Sequence, residues 1–208
     1  EAPDAKYIIV SNPVDIMTYV FTKISGLPEN QIMGSGTILD TARLRYGLSE
    51  HFKVAQGNIH AYVFGEHGDT SFIPWTGAYI SGLSTDEYYE EMKAHGKDVK
   101  PLDKEAMLEY VQKSGGKVIA KKGATFYAVS ATVCQLVGLI LAASDSLATV
   151  SSMLHGEYGI EDVCLSTLTL VGPNGIQGKV QMRMNKEEVA LLKKSADALK
   201  EVIAQIEL

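Results

Sequence analysis

Apolar residues along the chain fall into short uninterrupted runs, alternating runs and helical-period stripes, and each kind predicts a different element. Tyr7-Ile8-Ile9-Val10 is an unbroken apolar run, as in a buried parallel strand. Asn12-Pro13 then opens a helix in which Val14, Met17, Phe21 and Ile24 recur at helical spacing, and Gly26 with Pro28 closes it. Gln31-Ile32-Met33-Gly34 reads as the next strand, completing a strand-helix-strand unit. Thr37 and Asp40 have capping-box spacing for a following helix, with Gly47 as its stop.

From Asn58 to Gly68 the alternation predicts a strand. Ser84 to Lys97 and Leu102 to Ser114 are amphipathic and charged, so surface helices are expected, with a break or kink at Gly115-Gly116. The uncharged run from Gly123 to Ser144 contains Thr125, Ser130, Thr132 and Gln135 and is flanked by Lys121, Lys122 and Asp145. It reads as a buried core helix rather than a membrane span. Val163 to Val171 and Ile176 to Met184, joined by Gly172-Pro173-Asn174-Gly175, predict an antiparallel hairpin. A last helix is capped by Asn185 with Glu188 three residues on, and Val189, Leu192, Leu199, Val202 and Ile206 form its apolar face.

The 208 residues permit one or two domains with an ordinary soluble composition, 46% hydrophobic and 21% charged. The net charge of −6 carries no basic stripe, which argues against nucleic acid or an anionic membrane as partner. Cys134 and Cys164 sit in apolar surroundings without metal-site spacing, so they read as two buried free thiols of a reducing compartment. No secretory-signal pattern opens the sequence, and no metal site is expected.

Gly65-Glu66-His67-Gly68-Asp69 carries the sharpest chemical signal. A histidine between glycines, where an alternating run ends, places a group that titrates near neutrality beside room for a substrate. Asp69 either serves that histidine or only caps the turn at Thr70. Asp40 and Arg43, three apart, share a helix face; they either point into one cleft or form a surface ion pair of little worth. Arg45 is rotated by about 200° from Arg43 and faces elsewhere. In an unbroken strand the odd spacing of His60 and His67 puts them on opposite faces, so Arg45 and His60 make either a second positive site or two unrelated surface residues. Asn12 reads as a helix N-cap, a ligand contact at the carboxyl end of a strand, or both. Thr125 alone reads only as a helix start.

Val10-Ser11-Asn12-Pro13-Val14-Asp15, the Gly34 to Arg45 segment, Gly65-Glu66-His67-Gly68-Asp69-Thr70 and Lys122-Gly123-Ala124-Thr125 together resemble the NAD-dependent L-lactate dehydrogenases of bacteria, within the lactate/malate dehydrogenase family. The resemblance covers the whole chain. It implies an α/β fold, the end of a doubly wound parallel (Rossmann) sheet in residues 1–33 followed by a mixed α+β substrate domain in residues 34–208. It also implies the interconversion of pyruvate and L-lactate with NAD, in a cytoplasmic homotetramer. By resemblance, His67 is the proton donor and acceptor, Asp40 orients it, and Arg43 grips the substrate carboxylate. Asn12 and Thr125 contact substrate, while Val10, Ser11, Asn12 and Ser35 face the cofactor. Arg45 and His60 match positions where allosteric members hold fructose 1,6-bisphosphate. No glycine-rich fingerprint and no mobile arginine-bearing loop are present, so the chain is expected to be the carboxyl-terminal two-thirds of such an enzyme. Malate or another 2-hydroxy acid remains an alternative substrate, and a silent assembly or regulatory domain an alternative role.

Overall fold

The computed structural model describes residues 2–207. Strand β1 (Tyr7–Ile9), helix α1 (Val14–Ser25) and strand β2 (Ile32–Gly34) form the expected strand-helix-strand unit, with β1 and β2 parallel in the register Tyr7↔Ile32 to Ile9↔Gly34. Gly26, left-handed at φ 66°, closes α1 as anticipated. The apolar stripe is only partly covered: Val14 is buried and Phe21 half-buried, but Met17 and Ile24 are exposed, and Asp15, Ile16, Thr18 and Tyr19 are buried beside Val14. The Thr18 hydroxyl donates to the Val14 carbonyl at 2.7 Å, so this polar residue reaches the interior satisfied and the helix turns toward it.

Helix α2 (Ile38–Phe52) runs straight through Gly47, which is flush against Met107 and Tyr110 and stops nothing. Its expected capping box is absent. Thr37 instead donates its hydroxyl to the Val63 carbonyl at 2.5 Å, and Asp40 is engaged in the cavity described below. Thr41, Leu44, Leu48 and Phe52 are its buried face, and full burial of Leu44 and Leu48 contributes about 1.5–3 kcal/mol apiece.

The alternating segment forms a ladder only over β3 (Ile59–His60), which pairs with β4 (Tyr79–Ile80) and through it β5 (Leu83–Ser84). Beyond it, α2 side chains take the place of a neighbouring strand. Thr41 Oγ1 accepts from Val63 N at 3.0 Å, and Arg45 Nε donates to the Ala61 carbonyl at 3.1 Å. Ile59, Ala61 and Val63 are buried, so the alternation was read correctly although the strand stops early.

Helix α3 (Thr85–Ala94) carries a Ser84–Glu87 capping box, and α4 (Lys104–Lys122) continues without a break through Gly115-Gly116. Helix α5 (Tyr127–Leu141) is not a buried core helix. Only Thr132, Leu136 and Ile140, one turn apart, are fully buried, and Tyr127 and Leu141 are about four-fifths exposed. No helix among the described residues is long and apolar enough to cross a membrane.

The sequence reading passed over β6 (Ser146–His155), a ten-residue strand rich in serine and threonine. It pairs antiparallel with β7 (Glu161–Gly172). β7 and β8 (Gly175–Lys179) form the expected hairpin, and the five-stranded sheet has the order β1-β2-β6-β7-β8, stitched together at Gly34↔Ser151. Helix α6 (Lys186–Ile203) has the expected Asn185–Glu188 capping box and buries Leu192, Ser195, Ala196 and Leu199, while Val202 is exposed. Both cysteines are free; Cys164 is buried on β7, but Cys134 lies on the open face of α5 and is exposed.

Candidate functional site

His67 sits in a bend that three elements hold from different sides. Gly65 and Ser166 of β7 exchange backbone hydrogen bonds at 3.0 and 3.1 Å, fixing the bend to the sheet. Ser195 of α6 accepts from Glu66 N at 2.8 Å, and Asp15 of α1 accepts from His67 N at 2.7 Å through Oδ2. Gly65 adopts φ 96°, and a Cβ there meets Ser195 Oγ at 2.8 Å, so only glycine allows this approach. Glu66, not Asp69, caps the turn, accepting from Thr70 N at 3.0 Å.

The imidazole Nδ1 lies 2.6 Å from Asp40 Oδ2, and Asp40 Oδ1 accepts from Arg43 Nη1 at 3.1 Å. One buried carboxylate therefore links the ring to the guanidinium. The hydrogen bond to Asp40 raises the His67 pKa above its ordinary value; burial opposes this, the Asp40 and Asp15 charges add to it, and Arg43 opposes it. With Nδ1 committed, Nε2 is the ring nitrogen available to a ligand. Among the described residues only Nη1 of Arg43 is engaged, which leaves a forked set of donors for a second carboxylate.

These groups line a cavity of about 230 Å³ together with Asn12, Thr125 and Gln112. Val10 and Ser35, at the carboxyl ends of the parallel strands β1 and β2, form part of its wall, which is where open α/β sheets receive ligands. Ser11 is exposed and does not line it. Asn12 does not cap α1, because Pro13 occupies that position without a side-chain bond. Gly36, at φ 49°, lies so close to β6 that a Cβ meets Ser151 N at 2.6 Å. Arg45 faces elsewhere, as expected: its guanidinium is 5.0 Å above the Tyr62 ring and lines a separate cleft of about 60 Å³. His60 is exposed on β3 and does not line that cleft, so the two are not brought into one cavity.

Asp15, Gln112 and Ser195 escaped the sequence reading as parts of the site. Gln112 donates to the Asp69 and Ser71 carbonyls at 3.1 and 2.9 Å, bracing the bend from α4. Asp15 is 3% exposed, and burial raises its carboxyl to about 6. Only its place in the Asn-Pro-Val-Asp run, at a strand's carboxyl end, offered a signal; Gln112 and Ser195 offered none. No group of His, Cys, Asp and Glu able to hold a metal occurs among the described residues.

Residues 37–207 match the lactate/malate dehydrogenase α/β C-terminal domain, and residues 1–34 match the NAD binding domain of the same family. The chain is 45% identical over 205 residues to the L-lactate dehydrogenase of Acetivibrio thermocellus, covering 99% of this chain and 64% of that protein. It is 44% identical to L-lactate dehydrogenase 1 of Clostridium acetobutylicum, again covering 64% of the relative. The solved L-lactate dehydrogenase from Clostridium thermocellum superposes with a TM-score of 0.88 at 36% identity, over 98% of this chain and 65% of that one. The minor L-lactate dehydrogenase from Enterococcus mundtii gives 0.91 at 32%, over 99% and 64%. The chain thus spans just under two-thirds of the length of these relatives, and it belongs to the lactate/malate dehydrogenase family.

Proposed function

We propose that this chain is the carboxyl-terminal part of an NAD-dependent L-2-hydroxy acid dehydrogenase acting on pyruvate and L-lactate, with residues 1–33 finishing the dinucleotide-binding domain and 34–208 forming the substrate domain. The observation that carries the reading is the His67–Asp40–Arg43 chain of contacts, 2.6 and 3.1 Å, opening on one cavity beside the ends of two parallel strands.

Nicotinamide, when bound, supplies or accepts the hydride. Val10, Asn12 and Ser35 are the residues present that suit its side of the cavity, since the strand ends bring them there without a bulky side chain at Gly36. His67, charged and bonded through Nδ1 to Asp40, gives a proton from Nε2 to the keto oxygen in the reductive direction and takes it back in the oxidative one. Asp40 fixes the ring's tautomer and stabilises its charge. Arg43 grips the substrate carboxylate with its unengaged donors, a two-pronged pairing that lysine does not reproduce. Thr125 and Asn12 bound the space for the substrate's remaining atoms.

The relatives at 44–45% identity are named L-lactate dehydrogenases, which favours lactate over malate in this proposal. The reading extends to a cytoplasmic homotetramer in which Arg45 and His60 hold fructose 1,6-bisphosphate. A cleft of about 60 Å³ is well below the ~300 Å³ of an ordinary ligand pocket, so a second copy has to complete such a site.

The test joins the amino-terminal third of the Acetivibrio thermocellus relative ahead of residue 1 and measures pyruvate-dependent NADH oxidation. Turnover that falls by about 10²-fold or more in His67→Gln is expected. Full activity in that variant contradicts the proposal, and a preference for oxaloacetate over pyruvate moves the substrate to malate.

A further inference from the structure

A second recess, of about 240 Å³, lies between the turn preceding β2 and the outer end of the five-stranded sheet, lined among others by Glu29, Ser152, His155, Glu157, Gln177 and Lys179. It shares no residue with the His67 cavity. Lys179 closes the edge strand β8, and its Nζ donates to Ser152 Oγ. Among the described residues no carboxylate lies within ion-pair distance of this amine. The acids around it are engaged with another group: Glu29 Oε2 pairs with His155 Nε2 at 2.6 Å, and Glu157 Oε2 accepts from His155 N at 2.6 Å.

A lysine whose hydrogen-bond partners are one hydroxyl and one carbonyl, with the nearby acids taken up by His155, holds its proton poorly. Burial pulls the Lys179 ammonium down to about 8; Cys164 and Glu157 oppose this without cancelling it. An amine of that kind carries a free lone pair on about a tenth of molecules at pH 7, in a recess wide enough for a small electrophile.

We propose that Lys179 is a selective acyl acceptor, a modification site at which a small acyl phosphate transfers its acyl group to Nζ. The Nζ lone pair attacks the carbonyl carbon and an amide N–C bond forms. The C–O bond to phosphate breaks, phosphate leaves with that electron pair, and the proton lost from nitrogen passes to solvent. No oxidation or reduction is involved. Gln177 in the wall carries a side-chain amide N–H suited to the anionic leaving group, whereas Nε2 and the backbone N–H of His155 are taken by Glu29 and Glu157.

At pH 7.5 an amine with a pKa near 8 is about 25% neutral, against about 0.1% for an ordinary lysine. Nucleophilicity falls as pKa falls, which offsets part of this and leaves an advantage of about tenfold or more. The experiment treats the native chain with acetyl phosphate and follows the acetyl occupancy of every lysine by mass spectrometry after digestion. Lys179 is expected to react about tenfold faster than the exposed Lys53 and Lys93, and to lose that lead in concentrated urea. Its rate is expected to level off above about pH 8 while theirs keeps climbing. A native Lys179 that reacts no faster than Lys53, or that shows the same pH slope, overturns the proposal.

Discussion

Asp15 Oδ2 accepts the backbone N–H of His67 at 2.7 Å, so a buried carboxylate on the first helix holds the residue proposed to carry the proton, 52 positions away in sequence. Its other oxygen, Oδ1, and the hydroxyl of Ser151 have no hydrogen-bond partner among the described residues. Because burial raises this carboxyl from 3.8 to about 6, the unfolded chain gives up the proton first. Stability attributable to Asp15 therefore falls as pH rises from about 4 to 6 and stays low above. Asp15→Asn keeps an acceptor for His67 and offers an amide donor to Ser151. The variant is expected to be more stable than the parent above pH 6, by up to about 3 kcal/mol, and nearly equal below pH 4. Urea unfolding at the two pH values measures this.

Asp40 gives the opposite slope. Its hydrogen bond raises the His67 pKa, so the stability it contributes through the imidazole is complete below the unfolded histidine value of about 6.5 and is lost as pH rises through the folded one. Asp40→Asn is expected to cost about 1–3 kcal/mol at pH 5.5, with the loss shrinking toward pH 9. Urea unfolding at both values checks the direction as well as the size.

Gly116 lies inside the unbroken helix α4, and a Cβ there meets nothing within 4 Å. Gly116→Ala is expected to stabilise the chain by about 0.5–1 kcal/mol, because alanine loses less backbone freedom on entering a helix. A destabilised variant, by the same unfolding measurement, shows that the helix is not continuous there.

Arg45 and His60 supply the test of the bisphosphate proposal. In the joined protein, fructose 1,6-bisphosphate is expected to lower the KM for pyruvate, and Arg45→Ala and His60→Ala each to abolish that response while leaving the unstimulated rate in place. An identical response in both variants removes the bisphosphate from the proposal. Light scattering with and without the sugar bisphosphate shows whether a second copy completes the site.

Elements were legible in the sequence wherever local chemistry alone decides them. Asn185 with Glu188, the Gly172–Gly175 turn and Gly26 each act over a few residues, and each appears where expected. Errors arose where distant partners decide. β6 was missed because its Ser151, Ser152 and Thr149 are buried between neighbouring strands, so a core strand carries polar residues and no alternation. The stripe on α1 misled because Thr18 enters the interior once its hydroxyl is satisfied. The strand after Ile59 ended early because α2 hydroxyl and guanidinium groups stand in for a ladder. For the candidate site, the i,i+3 spacing of Asp40 and Arg43 and the glycines around His67 were visible locally. Asp15, Gln112 and Ser195 were not, since each reaches the bend across at least 41 positions.

The central claim is that one imidazole and one guanidinium, joined by Asp40, act together on an organic acid. NMR titration of the His67 ring in the joined protein with NADH, with and without pyruvate, tests it most directly. The account expects a pKa above 6.5 without pyruvate, a further rise when pyruvate's carboxylate and keto oxygen occupy the cavity, and no such rise in Arg43→Lys. A ring that titrates at its ordinary value and ignores pyruvate contradicts it.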